Sequence, residues 1–175
     1  MNNIFSKHIF SSEEIDSILE LCGNFITEEE TFERYGHRNI RKCKYGPVLD
    51  FEKIQEMIVS KLLNDGVESI DEDESNFVKY DKGDYFVEHQ DISKSYRVDE
   101  PRAYTLVLQL SDETEYDGGT LIIEKKEQPK KKGTVIIFKS SLKHEVTEIT
   151  NGSRIVFTNF LRKNNLTFLK ENILI

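Results

Sequence analysis

Tyr80-Asp81-Lys82-Gly83-Asp84-Tyr85-Phe86-Val87-Glu88-His89-Gln90-Asp91 reads as a short strand, a glycine turn and a second strand that ends in His-x-Asp. Side chains of a strand alternate between faces, so His89 and Asp91, two apart, aim at one point in space. An imidazole and a carboxylate aimed together make two thirds of a metal site. A second histidine from a distant strand would complete a 2-His-1-carboxylate set, which leaves positions of an octahedral Fe(II) open for other ligands.

On the carboxyl side of this stretch, short β-rich runs alternate with turn residues. Strands are predicted near 76–80, 85–91, 103–110, 119–124, 134–138, 144–149 and 153–161, with turns at Lys82-Gly83, Asp117-Gly118, Gln128-Pro129 to Gly133, and Asn151-Gly152. Short strands with no helix between them build an antiparallel sandwich or jelly roll, not a βαβ sheet. Asn151-Gly152, set between Glu148-Ile149 and Arg154-Ile155, predicts a tight hairpin.

On the amino side, residues 3–10 suit a short strand. Ser11 and Glu14 form a capping box before Ile15, Ile18, Leu19 and Cys22 at helical spacing, with Gly23 as a stop, so a helix is expected over 12–22. Residues 31–45, with Phe32, Tyr35, Ile40 and Tyr45, have room for a strand. A second helix is capped by Asp50, carries Phe51, Ile54, Met57, Ile58 and Leu62 as one apolar stripe, and stops at Gly66. Glu68 to Glu74 is acidic and aperiodic, the pattern of a solvated loop. The tail, 165–175, carries Leu166, Phe168, Leu169, Ile173 and Leu174 and is expected to pack as a closing helix or strand.

The 175 residues suit one domain, divided into helical support over 1–75, a β core over 76–161 and a tail over 162–175. A net charge of -8, a pI near 5.1 and scattered Lys and Arg disfavour a nucleic-acid partner. Lys130-Lys131-Lys132 reads as the solvated tip of a hairpin. The two cysteines, Cys22 and Cys43, lie in no ligand spacing and suit a reducing, cytoplasmic home as buried residues. The amino terminus lacks the plan of a secretion signal, and no apolar run approaches the ~20 residues of a membrane span.

His144 is the candidate third ligand. It follows the apolar strand Val135-Ile136-Ile137-Phe138, whereas His8 and His37 precede the β-rich half and have no carboxylate at strand spacing. Arg154 comes ten positions after His144, beyond the Asn151-Gly152 turn. On adjacent antiparallel strands the two would lie one hairpin apart. A guanidinium fork there suits the far end of a short dicarboxylate whose near end chelates the metal.

These residues together resemble the iron- and 2-oxoglutarate-dependent oxygenases, in particular the prolyl 4-hydroxylase-like group. Tyr80, Gly83, Phe86, His89 and Asp91 match the family's first motif, and Arg102 with Thr105 its Arg-x-x-Thr strand. Gly118-Gly119 matches its Gly-Gly turn, Gly133 the glycine before an apolar strand, and His144 and Arg154 the distal pair. Leu110 to Leu121, with Ser140-Ser141-Leu142, is most similar to the bacterial PKHD-type hydroxylases.

The resemblance implies a mainly β, α+β fold: a double-stranded β-helix, or jelly roll, with amino-terminal helices packed on its major sheet. It implies Fe(II) held by His89, Asp91 and His144, 2-oxoglutarate paired at its distal carboxylate with Arg154, and O2 as co-substrate, with ascorbate as an optional reductant. It further implies hydroxylation of a C–H bond, in a peptidyl residue such as proline, with release of succinate and CO2. Where some relatives have Tyr this chain has Gln109, and its Gly-Gly turn continues as Thr120-Leu121. The second partner of the distal carboxylate is therefore open among Tyr80, Thr120 and Gln109, with Tyr80 preferred by position; the alternative for Tyr80 is a core residue whose hydroxyl finds any nearby partner. Arg102 stands either at the substrate mouth or in a structural ion pair. A protein or peptide substrate comes first and a small molecule second. A non-catalytic jelly roll that senses a metal or small acid, and an oxygenase of a free amino acid or nucleic acid, are the competing readings.

Overall fold

A computed structural model describes residues 4–27, 40–92 and 101–166. The strands, in chain order, are β1 (Ile4–His8), β2 (Ile26–Thr27), β3 (Arg41–Lys42), β4 (Lys44–Gly46), β5 (Asn76–Asp81), β6 (Tyr85–His89), β7 (Tyr104–Gln109), β8 (Tyr116–Gly118), β9 (Leu121–Ile123), β10 (Lys126–Glu127), β11 (Thr134–Lys139), β12 (His144–Val146) and β13 (Ile149–Leu161). Two helices precede β5: α1 (Ser12–Leu19) and α2 (Phe51–Leu62). The larger sheet runs β1-β11-β7-β13-β5-β4-β2, with β8 set against the start of β13, and the smaller runs β10-β9-β12-β6-β3.

Strand alternation sorts the larger sheet's side chains onto two cores. Phe77, Leu106, Leu108, Val135, Ile137 and Phe157 point outward and pack with Ile15 and Ile18 of α1 and Ile54, Ile58 and Leu62 of α2. Their neighbours Val78, Val107, Ile136, Phe138 and Val156 point the other way, toward Leu121, Ile123 and Val146 of the smaller sheet. The expected jelly roll with helices on its major sheet is thus the architecture found. Each helix starts where its cap places it: Ser11 and Glu14 exchange both capping-box hydrogen bonds, and Asp50 accepts from the Lys53 backbone N–H. The first helix ends at Leu19, earlier than Cys22, because Leu21 and Cys22 turn back onto Ile18 and Leu19 in tighter bonds.

The hairpin expected at Asn151-Gly152 is absent. β13 runs through both residues, pairing Asn151 with Asp117 and Gly152 with Tyr116 of β8, and a register shift between Ile149 and Asn151 takes up the irregularity. Gly152 has φ +71, and a Cβ there would lie 2.0 Å from the Glu115 carbonyl oxygen, so the glycine serves a close strand approach and not a turn. His144 and Arg154 are therefore on different sheets and not on adjacent strands of one hairpin. A real hairpin lies elsewhere, between β9 and β10, where Glu124 and Lys125 both take positive φ.

The acidic run is solvated only in part, with Glu68, Glu72 and Asp73 exposed. It closes into a 3-10 turn at Glu72–Glu74 that buries Glu74 at 8% exposure. Of the strand expected over 31–45, the described part forms β3 and β4. The remainder of that stretch, the tail beyond 166 and residues 93–100 lie outside the described residues. Among the described residues, no helix is long and apolar enough to cross a membrane.

Candidate metal centre and anion pocket

β6 and β12 are neighbours in the smaller sheet, and His89 pairs directly with His144. The next pair is Phe86 with Val146, so three steps on β6 match two on β12, and β6 carries a bulge between Phe86 and His89. The bulge re-aims His89 to the side that Phe86 already faces. The Phe86 ring stacks on the His89 imidazole at 3.5 Å, and the imidazoles of His89 and His144 lie 4.1 Å apart. Asp91 lies just past β6, where its N–H donates to the Ser140 carbonyl at 2.9 Å.

The ligand atoms of His89, Asp91 and His144 all fall within 4.8 Å of one another. Nε2 of His89 is 3.3 Å from Oδ1 of Asp91, and Nε2 of His144 is 3.1 Å from Oδ2. Each imidazole is held from behind by the carbonyl two residues earlier: His89 Nδ1 by Val87 at 2.8 Å and His144 Nδ1 by Leu142 at 3.0 Å. A carbonyl only accepts, so each Nδ1 carries the proton and each Nε2 lone pair is free for a metal. Burial works against ionisation of Asp91, but the neighbouring imidazoles of His144 and His89 and the hydrogen bond from Thr105 outweigh it and hold the carboxyl well below the usual carboxylate range. The Thr105 hydroxyl donates to Asp91 Oδ2 at 2.7 Å and lies 3.2 Å from the Ser140 hydroxyl. Two neutral nitrogens and one anionic oxygen on one side of a point are a donor set that fits Fe(II).

The three residues line a cavity of about 320 Å³ between the sheets, whose wall also includes Tyr80, Arg102 and Arg154. Arg154, on β13 of the larger sheet, is 1% exposed. Its Nε and Nη2 donate to Gln109 Oε1 at 3.3 and 3.1 Å, while Nη1 is buried with no hydrogen-bond partner. No carboxylate pairs with it among the described residues. Burial works against its charge, with Tyr116 and Tyr80 favouring it. The Tyr80 ring lies 5.6 Å from the guanidinium, and burial pushes the Tyr80 hydroxyl up, which keeps it a donor. A buried cation without a counter-charge fits an anion entering the cavity.

The remaining sequence candidates are placed differently. Gln109 is committed to Arg154 and, through Nε2, to the Pro129 carbonyl at 3.0 Å, and neither it nor Thr120 is part of the cavity wall. Arg102 forms the ion pair, forking onto Glu74 with Nη2 to Oε2 at 2.6 Å while stacking on Phe160 at 3.7 Å, and it also lines the cavity. Glu74 also accepts from Arg162 at 3.1 Å. Sequence reasoning missed four supports: the carbonyls of Val87 and Leu142, the Thr105–Ser140 hydroxyl pair, Glu74, and Tyr116, whose buried hydroxyl has no hydrogen-bond partner. Carbonyls leave no mark in a sequence, but Thr105 stood in a motif already quoted, three residues after Arg102.

Comparison with known proteins agrees with this geometry. A PKHD-type hydroxylase of Prochlorococcus marinus is 34% identical over 90 residues, which is 49% of this chain and 40% of that protein, so the chain spans less than half of that relative's length. A prolyl-4-hydroxylase of Pseudomonas putida shares the fold with TM-score 0.62 and 19% identity, over 93% of both chains. A prolyl hydroxylase of Trichoplax adhaerens, solved with a peptide fragment of a hypoxia-inducible factor, shares it with TM-score 0.64 and 14% identity, over 94% of this chain and 86% of that one. The family model for the 2OG-Fe(II) oxygenase superfamily matches residues 75–162, the segment that carries the triad, Arg154 and most of both sheets. The chain belongs to the 2OG-Fe(II) oxygenase superfamily.

Proposed function

We propose that the protein is a 2-oxoglutarate-dependent Fe(II) dioxygenase that hydroxylates a C–H bond of a peptidyl residue, with proline as the first choice. One observation carries the reading: a single cavity holds a His-Asp-His set and, on the facing sheet, a buried arginine with no counter-charge among the described residues. In the overall reaction one O2 is consumed; one oxygen atom enters the substrate C–H bond and the other enters succinate, as 2-oxoglutarate loses CO2. Fe(II) and 2-oxoglutarate, when bound, would activate O2, the oxidant, with 2-oxoglutarate giving two of the electrons and the C–H bond the other two.

The protein's own part is to bind and orient. His89, Asp91 and His144 hold the metal, with the protons kept at Nδ1 by Val87 and Leu142. Thr105 fixes the Asp91 carboxylate, Arg154 takes the distal carboxylate of 2-oxoglutarate, and Tyr80 on the same wall is our choice for its second donor. Arg102 and Glu74, paired on the wall of the cavity, form the substrate side. Val107, Phe138 and Val156 contribute apolar wall that limits water. The peptide substrate is supported by the prolyl hydroxylases among the structural neighbours, one of them solved with a peptide. Cys22 and Cys43, which form no disulfide among the described residues, support a reducing cytoplasmic setting.

Purified protein supplied with Fe(II), O2 and labelled 2-oxoglutarate should form succinate slowly even without its substrate. His89→Ala and Arg154→Ala should each abolish this turnover. Tight metal binding with no succinate under any condition would replace the enzyme by a sensor.

A further inference from the structure

The guanidinium of Arg154 has two edges that a carboxylate can fork onto, Nε with Nη2 and Nη1 with Nη2. Gln109 closes the first: its Oε1 accepts from Nε and from Nη2. The amide cannot be reversed, because its Nε2 donates to the Pro129 carbonyl, and a flip would set donor against donor at Arg154 and acceptor against acceptor at Pro129. What remains unpaired is Nη1, on the opposite edge. The guanidinium stem is fixed as well, since the Gly119 position leaves no room beyond hydrogen: a Cβ there would lie 3.3 Å from Arg154 Cδ and 2.2 Å from Ile149 Cδ1.

Gln109 is also neutral. A carboxylate at this position would satisfy the same two N–H groups and cancel the charge, which would remove the reason for an anion to enter. An amide of the same length orients the cation without neutralising it.

We infer that Gln109 is a positioning residue for Arg154: it restricts the distal carboxylate of the co-substrate to the Nη1 edge of the guanidinium and, by being uncharged, keeps the buried site selective for a dianionic 2-oxo acid. This rests on the co-substrate reading above. Gln109 touches neither the metal ligands nor the cavity, so its effect passes through Arg154 alone. The anchor of Gln109 is the Gln128 to Gly133 turn, where Lys130 also reaches back to the Gly118 carbonyl at 2.9 Å. Lys130 thereby ties this turn to the Gly118-Gly119 turn, while Lys131 stays exposed at the tip.

The test is calorimetric titration of Mn(II)-loaded protein with 2-oxoglutarate and with 2-oxobutyrate, which has the same chelating end and no distal carboxylate. Wild type should bind 2-oxoglutarate about tenfold or more tightly than 2-oxobutyrate. Gln109→Glu should weaken 2-oxoglutarate by about tenfold or more while leaving 2-oxobutyrate and Mn(II) affinity unchanged. Gln109→Met, which removes the amide without adding charge, should weaken 2-oxoglutarate by only about threefold. Equal losses in the two variants, or a loss of Mn(II) affinity in parallel, would mean that Gln109 acts only as a structural residue and would overturn the inference. Unchanged 2-oxoglutarate binding in Gln109→Glu would overturn it too. A wild type that binds Mn(II) but does not prefer 2-oxoglutarate would instead remove the co-substrate reading itself, and the role of Gln109 with it.

Discussion

Asp91 is the residue on which the centre turns, because it is the one anionic ligand and is reached from three elements. His89 and His144 approach it from β6 and β12, and Thr105 from β7 of the opposite sheet holds Oδ2 at 2.7 Å. Replacing Thr105 by valine keeps the shape and deletes that hydrogen bond. Outer partners of metal ligands typically govern affinity by ten- to a hundredfold, so Thr105→Val should weaken metal binding about tenfold without unfolding the protein. Titration with Mn(II) or Fe(II) under nitrogen measures this, and an unchanged dissociation constant would detach Thr105 from the centre. At this scale the sequence was most legible where chemistry sits in side-chain type and spacing. The two-residue step from His89 to Asp91 and the apolar strand before His144 were enough to bring the three together. The sequence was silent on what fixes their protonation, because Val87 and Leu142 act through carbonyls that every residue possesses.

At the scale of elements, local signals competed with long-range pairing. Asn151-Gly152 has the composition of a hairpin turn, yet pairing with Asp117 and Tyr116 of β8 keeps the strand running, and no local pattern could reveal that β8 would be there. The same limit applies to Glu74, read as solvated because its run has no period, and buried because Arg102, just before β7, and Arg162, just after β13, meet it from far along the chain. The end of β5, inside the larger sheet, shows another such meeting. Asp81 at the end of β5 pairs with Lys44 of β4 and Lys79 beside it, and accepts from Ser153 of β13 at 2.8 Å. Partial burial works against its ionisation, but the bonds from Lys44, Ser153 and Lys79 prevail and draw the carboxyl from 3.8 to about 2. A carboxyl with a lowered folded-state pKa stabilises the fold above the unfolded value and loses that contribution as pH falls through the folded one. Stability should therefore decline between roughly pH 4 and pH 2, by about 1 kcal/mol after solvent screening of this partly exposed group. Asp81→Asn should be less stable at neutral pH and should flatten that part of the acid-unfolding curve. Parallel curves for variant and wild type would exclude Asp81 as the cause.

Over the whole molecule, the division into two cores separates stability from chemistry. The outward face of the larger sheet closes against α1 and α2, while the space between the sheets holds a cavity walled in part by Arg154, whose buried Nη1 has no hydrogen-bond partner. The two binding groups in that cavity belong to different sheets: the histidines stand on the smaller one and Arg154 on the larger. On the proposed reading a metal alone would engage the smaller sheet and the Asp91 segment, whereas a chelating diacid that also reached Arg154 would tie both sheets together. Ligands that bind only the native state stabilise it by about 2.7 kcal/mol at a hundred times their dissociation constant, which for a chain of this size raises the melting temperature by roughly 5 to 10 °C. The expected pattern is two separate steps, one on adding Mn(II) and a further one on adding 2-oxoglutarate. Arg154→Ala should keep the first and lose most of the second, His144→Ala should lose both, and EDTA should reverse both in the wild type. Scanning calorimetry of the three proteins, each alone, with Mn(II), and with Mn(II) and 2-oxoglutarate, decides it. A full second step in Arg154→Ala would show that the diacid does not bridge the sheets through that residue, and would leave the buried guanidinium without its anion.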